Sequence, residues 1–354
     1  MLAGAVTTSE ARGPEDAVAL ARSGTTAIEN QRFGEALKAF TRAASLQPGD
    51  ASHCFGAGVA AFMLGQSDVA QVRFECALAL KPTYLQASVW LGDLHYRAGR
   101  LQEAIAIYEA AGQRSPGARE LQEPLALWRQ ELDLQSRFHE VRTDHFTVLF
   151  EAATDEPLAR AAVARLEAAY WRVGNTLGVY PTHPITVVLY TREQFSDITK
   201  LAAWSVAAYD GRIRVPLSGA LAQPEELDRV LSHEFVHAVV ARLGGRTVPA
   251  WMNEGLATVL EPAGPGDAEA TLERSDARPA LSNLHRGFVD LSRRDAEVAY
   301  GSAARAVRRL IEQRGAPAVV ALLEDLARGA EFASAFEQRI AMRYEDFAAV
   351  VARD

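Results

Sequence analysis

The chain has 354 residues, is 49% hydrophobic and 23% charged, and carries a formal net charge of -8. That is material for roughly two domains with a core each, and the acidic balance argues against a nucleic-acid partner. No apolar run reaches the roughly 18 residues of a transmembrane segment, and the opening MLAGAV is too short and uncharged for a complete signal peptide, although it fits the remnant of a cleaved one, so the compartment stays open.

Residues 1–14 read as a flexible N-terminus. Beyond them the sequence repeats with a period of 34: Gly24, Gly58 and Gly92; Ala36, Ala70 and Ala104; Phe40, Phe74 and Tyr108; Pro48, Pro82 and Pro116. Small residues at fixed places let paired helices approach, an aromatic fills the gap between neighbouring repeats, and a proline ends each second helix. The pattern resembles three tetratricopeptide repeats over residues 15–118, with Leu20, Cys54 and Ser88 standing where the family pattern has an aromatic. The only cysteines, Cys54 and Cys76, lack the spacing of a zinc pair or a disulfide framework and read as two buried thiols in a helical core.

The resemblance implies a concave groove for a peptide or protein partner, lined by Val18, Ala21, Thr25, Phe55, Val59, Phe62, Gln86, Val89 and Asp93. It shows no basic clamp for a terminal carboxylate, and packing of Phe55 and Phe62 on neighbouring helices competes with a docking role. Residues 119–138 form an amphipathic helix suited to cap the stack. Because such arrays bury their cores internally, removal of 1–118 is expected to leave the rest folded.

From residue 139 the pattern changes to strands mixed with helices. HFTVLFEA and PITVVLY are strand candidates around a long helix from about Glu156 to Leu177, and DGRIRVPL alternates after a turn at Asp210 and Gly211 as an edge strand would. A helix of about 20 residues follows. Pro224 opens it, Glu225 and Glu226 face its positive dipole end, Gly244 lies past its last periodic residue, and Leu227, Leu231, Phe235 and Val239 form its core stripe.

That helix carries VLSHEFVHAVVA, with His233 and His237 one turn apart and both imidazoles on one face, the spacing at which two ring nitrogens share a zinc ion. Glu234 projects about 100° away, within reach of a metal-activated water as general base. In TVPAWMNEGLATVL a second helix supplies Glu254 as a third ligand; two His and one carboxylate leave an open coordination position, as in catalytic zinc sites. The longer HExxHxxGxxH pattern is absent, since Val240 and Leu243 occupy its places.

HEFVH followed by PAWMNEGLA resembles the gluzincin metallopeptidases, in particular bacterial peptidase MA-like proteins that carry tetratricopeptide repeats. The resemblance spans roughly residues 140–350 and includes the AYGSAARAVRRLIEQRG helix. It implies an all-α repeat solenoid followed by an α+β zincin-like metallopeptidase domain (139–354), one Zn2+ per chain on His233, His237 and Glu254, Glu234 as base, and hydrolysis of peptide or protein substrates. Thr258 stands where such enzymes often have an aspartate that orients a ligand. Tyr300 corresponds to a tyrosine held over the zinc as oxyanion donor, with a core role as its competing reading. GRIRVPLSG would align substrate, with Arg212 and Arg214 bordering the cleft or standing as solvated edge charges. His285 is a lesser oxyanion candidate, and His139, His145 and His183 lie apart from any metal spacing. The rival functions are an interaction scaffold whose zinc domain does not turn over, and a zinc hydrolase of a non-peptide amide or ester.

Overall fold

A computed structural model of the protein describes residues 13–152, 155–199, 208–216, 223–275, 279–288 and 291–353. The expected flexible N-terminus lies outside the described residues up to 12, and helix α1 begins at Gly13. Six helices follow in antiparallel pairs: α1 (Gly13–Glu29) with α2 (Phe33–Leu46), α3 (Ala51–Met63) with α4 (Ser67–Leu80), and α5 (Leu85–Arg97) with α6 (Leu101–Arg114). The second helix of each pair stops two residues before Pro48, Pro82 or Pro116, because proline disfavours helical backbone in the residue ahead of it. A Cβ added at Gly24, Gly58 or Gly92 would lie 2.7, 2.6 or 2.4 Å from the ring of Phe40, Phe74 or Tyr108, so the glycine and aromatic registers are two halves of one contact. Phe40 meets Gly56 of the next repeat in the same way, which fills the gap between repeats.

Cys54 and Cys76 are joined as a disulfide between α3 and α4, not held as two free thiols. Helix pairing brings their Cα atoms to 6.0 Å, a separation a disulfide spans. The groove candidates Phe55 and Phe62 pack on neighbours: Phe55 on Phe74 and Tyr84, Phe62 edge-on to Trp90. Helix α7 (Gln122–Gln135) caps the stack through Trp128, whose ring stacks on Tyr96 at 4.8 Å and lies 4.4 Å from Tyr108.

The remainder is built on a five-stranded sheet in the order β1-β2-β3-β5-β4, with β1 (His139–Arg142), β2 (Phe146–Phe150), β3 (Ile185–Tyr190), β4 (Ala208–Tyr209) and β5 (Ile213–Pro216). The β2–β3 and β3–β5 pairs are parallel, the outer two antiparallel. The α8 helix (Glu156–Leu177) connects β2 to β3, as a parallel pair requires. Alternation along the strands gives the sheet two apolar faces. Phe146, Val148, Val187, Leu189, Ile213 and Val215 join the core that includes α8 and α10 (Pro224–Gly244); Val188 and Tyr190 face Leu134 of α7 and Phe195 of α9 (Arg192–Thr199). Helices α11 (Ala250–Val259), α12 (Gly266–Glu273), α13 (Arg293–Arg314), α14 (Ala316–Ala327), α15 (Phe332–Ile340) and α16 (Tyr344–Val351) complete the chain. None of the described helices is long and apolar enough to cross a membrane.

Candidate functional site

Helix α10 turns its buried stripe, Leu227, Leu231, Phe235 and Val239, into the core, with Phe235 edge-on to Phe146 of β2 at 5.6 Å. Away from that stripe, the imidazoles of His233 and His237 lie 4.7 Å apart and nearly perpendicular. The Nε2 atoms of both rings converge on one carboxylate oxygen, Glu254 Oε2, at 3.4 and 3.5 Å. Among the described residues these three form the group of His, Cys, Asp and Glu side chains whose donor atoms all lie within 4.8 Å of one another.

Both rings are aimed by what holds their other nitrogen. His233 Nδ1 lies 2.8 Å from Glu261 Oε1 and His237 Nδ1 lies 3.1 Å from Asn253 Oδ1. A carboxylate and an amide oxygen can only accept, so each Nδ1 carries a proton and each Nε2 is the nitrogen turned to the site. Thr258 does not take the orienting role expected at its position; its hydroxyl donates to the Glu254 carbonyl within α11, and Glu261, just past the end of that helix, orients His233 instead. Neither Asn253 nor Glu261 is singled out by sequence reasoning, although both lie in the segment that carries Glu254.

Glycine sets how closely the helices carrying these groups approach. A Cβ on Gly255 would lie 2.4 Å from the Ala303 carbonyl oxygen, so only glycine after Glu254 lets α11 rest against α13. Gly301, next to Tyr300, does the same for α13 against α12, where the Ala268 carbonyl oxygen would be 2.4 Å away. This brings Tyr300 to the site: its ring centroid lies 6.2 Å from that of His233 and 5.1 Å from Phe288. Tyr300 lies two turns into α13.

Three carboxylates (Glu234, Glu254, Glu261) surround the two imidazoles, and Arg229, held mainly by Glu226 at 2.6 Å, reaches Glu261 at 3.5 Å. Burial disfavours the charged form of His233, but bonding to Glu254 and Glu261 more than offsets it and raises the ring to about 10. Burial likewise opposes charging of His237, and Glu254 again raises it. Glu254 would be pushed up by burial; His237 and His233 hold it well below the usual carboxylate range. Glu234 is raised, burial outweighing the attraction of the two rings. The Tyr300 hydroxyl is kept neutral by burial and by Glu254, Glu234 and Glu261. At the site Glu234 Oε2 makes no hydrogen bond, and Glu254 Oε2 meets only the two imidazoles, at 3.4 and 3.5 Å. Buried carboxylate oxygens of that kind are costly unless a cation or donor meets them.

Arg212 and Arg214 do not border this site. Strand alternation gives the α10 side of β5 to Ile213 and Val215, so both arginines point through the opposite face, where they are buried against Glu131 of α7 at 3.2 and 2.8 Å. Nor is β5 an edge strand, since β4 pairs along its outer side. His285 is engaged elsewhere, its Nε2 2.7 Å from the Tyr344 hydroxyl. His145 stacks on Tyr170 and pairs with Glu167, while His139 and His183 are exposed.

The sequence profile of the tetratricopeptide repeat matches residues 21–71 and 55–119, so this part of the chain is a tetratricopeptide-repeat array. Similar solved structures include the first tetratricopeptide-repeat domain of Spaghetti (RPAP3) bound to the HSP90 peptide SRMEEVD, 23% identical over 34% of this chain and 98% of that one, with a TM-score of 0.33. The repeat domain of Arabidopsis OM64 is 18% identical over 33% and 98% of the two chains, with a TM-score of 0.32. The first repeat domain of human RPAP3 is 24% identical over 34% and 94%, also with a TM-score of 0.32. No curated protein matches the chain.

Proposed function

We propose that the protein is a zinc-dependent peptidase of the gluzincin, peptidase MA-like type, its C-terminal domain a zincin-like one, whose repeat array binds a substrate or partner protein. The observation that supports this most is the aim of the two rings: each Nδ1–H donates, to Glu261 and Asn253, and both Nε2 atoms converge on Glu254 Oε2. Two imidazole nitrogens and a carboxylate oxygen, all within 4.8 Å of one another, suit zinc. A zinc ion held by His233, His237 and Glu254 would polarise a substrate carbonyl and make water a nucleophile at neutral pH.

The chain's own residues have distinct parts. Glu234, one position on from His233, takes a proton from the attacking water at its unbonded Oε2 and passes it to the departing amine. The Tyr300 hydroxyl, kept protonated by its surroundings, donates to the oxygen that gains charge as the carbonyl is attacked. Glu261 and Asn253 keep the rings from turning. The repeats offer an extended surface for a polypeptide partner.

Incubation with a random peptide library, with and without a chelator, tests the reading. Cleavage that stops with chelation and falls by about 10²-fold or more in Glu234→Gln, with zinc retained, is the expected result. Zinc binding without cleavage of any peptide would favour the scaffold reading, and hydrolysis of small amides or esters alone would favour a non-peptide substrate.

A further inference from the structure

One edge of the repeat array has its own period. Gln31, Gly65 and Gly99, each 34 residues from the next, close the turn between the two helices of a repeat with φ of 59°, 75° and 76°. Close to each of these turns the array touches the C-terminal region. Just past the first turn, Gly34 lies against Gly329, where a Cβ would come 2.6 Å from the carbonyl oxygen. At the third, Gly99 faces Arg212, and Gly211 abuts the Arg97 carbonyl so closely that no side chain fits there.

The middle turn meets the most consequential partner, the connection between α10 and α11, the helices that carry His237 and Glu254. A Cβ on Gly65 would lie 2.7 Å from the Cα of Gly245, and one on Gly245 would lie 2.4 Å from the Leu64 carbonyl oxygen. The Arg246 amide donates to the Met63 carbonyl at 3.1 Å, and its guanidinium covers the Phe62 ring at 4.0 Å. Beside this contact, the Gln66 side chain donates to the Ala327 carbonyl at the end of α14. Residues 245–249 thus have a backbone hydrogen bond and a cation–π contact from the second repeat, and they lead into the α11 turn that presents Asn253 and Glu254.

We propose that the second repeat positions the metal site: its turn seats the 245–249 connection and thereby sets where Asn253 and Glu254 stand relative to His237, with Gly65 and Arg246 as positioning residues. As a statement about a metal site it rests on the function proposed above; as a statement about the seat of α11 it does not. The array is then a structural part of the hydrolytic domain as well as a binding surface.

A pair of substitutions separates this from a general effect of disturbing a repeat. Gly65→Ala and Gly99→Ala place a side chain at the same left-handed backbone angle, but the first meets backbone at 2.7 Å and the second meets only the flexible Arg212 side chain at 3.6 Å. Amide exchange and zinc titration are measured on the full chain. In Gly65→Ala, exchange over residues 245–259 is expected to rise and zinc affinity to fall by about 10-fold or more, the scale for loss of support behind metal ligands. In Gly99→Ala both should stay within about twofold, as expected for a position with no part in that seat. If Gly65→Ala does not fold, Arg246→Ala, which removes the cover on Phe62 but keeps the backbone bond to Met63, is expected to raise exchange in the same segment. Unchanged exchange over 245–259 in the readable variant, or equal changes in Gly65→Ala and Gly99→Ala, would overturn the proposal. A wild-type chain that takes up no zinc would refute the metal reading, while the exchange measurement on metal-free protein would still decide the seat.

Discussion

Two buried charged clusters lie on opposite faces of the sheet's surroundings, and they differ in the groups that meet their carboxylates, guanidiniums in one and imidazoles in the other. At the seam, Glu131 and Asp210 oppose Arg212 and Arg214, two negative groups against two positive, with the Tyr96 and Tyr190 hydroxyls completing the contacts of Glu131. The guanidinium of Arg212 that is not fully bonded lies 4.9 Å from the Tyr96 ring centre. At the candidate site, Glu234, Glu254 and Glu261 face the two imidazoles, and Glu234 Oε2 has no donor. Carboxylates and guanidiniums closed upon each other fasten elements together; imidazoles that converge on a carboxylate leave an open cluster, with the composition of a cation site.

The comparison breaks first if the open cluster holds no ion. His237→Ala or Glu254→Ala is expected to abolish stoichiometric zinc, since each removes one of three protein ligands, and metal analysis of the purified variants checks it. Full occupancy in both would mean that the convergence of these side chains serves something else.

The closed cluster predicts loss of stability, not of chemistry. Glu131→Ala leaves two buried guanidinium groups facing each other and should cost about 3–5 kcal/mol of unfolding free energy by denaturant titration. Burial alone would raise Glu131, but Arg212 and Arg214, with bonds from Arg214 and Tyr96, hold it below its ordinary 4.5. The unfolded chain therefore binds this proton more readily than the folded one. The contribution is fully present above pH 4.5 and is lost as pH falls from there through the depressed folded value. Glu131→Gln should flatten that part of the acid-stability profile, and a profile identical to wild type would show that the pair is not coupled to folding.

A smaller effect sharpens the assignment within the open cluster. Tyr300→Phe is expected to keep zinc and thermal stability while turnover falls by about 10²-fold, the scale of a lost oxyanion contact. Turnover within a few fold of wild type would leave Tyr300 as packing against Phe288.

What the sequence reveals follows the same division. The repeats are legible because glycine, alanine, aromatic and proline each recur at a fixed period, and each recurrence is one physical contact, as Gly58 against Phe74 shows. The convergence of His233 and His237 is legible because helical geometry converts a spacing of four into a shared face, and that of Glu254 because it follows on the next helix. The closed cluster is hidden: Glu131 and Arg214 are 83 residues apart, and nothing local to either names the other. The sidedness of Arg212 and Arg214 was nevertheless available, because apolar Ile213 and Val215 alternate with them and claim the core face. Glu261 is hidden because the resemblance places an orienting aspartate within α11, where this chain has Thr258, whereas the chain supplies the group just past the helix end. The pairing of Cys54 with Cys76 depends on the approach of two antiparallel helices, which spacing alone does not report.

The three seam contacts also bear on how such a chain can change over time. A free-standing solenoid tolerates the gain or loss of a unit, because each unit contacts only its neighbours. Here Gly34, Gly65 and Gly99 have separate counterparts in Gly329, Gly245 and Arg212, on three different connections of the C-terminal region. Inserting a unit between the first and third would carry at least one turn away from its counterpart, so the spacing of these turns is fixed by the region they meet.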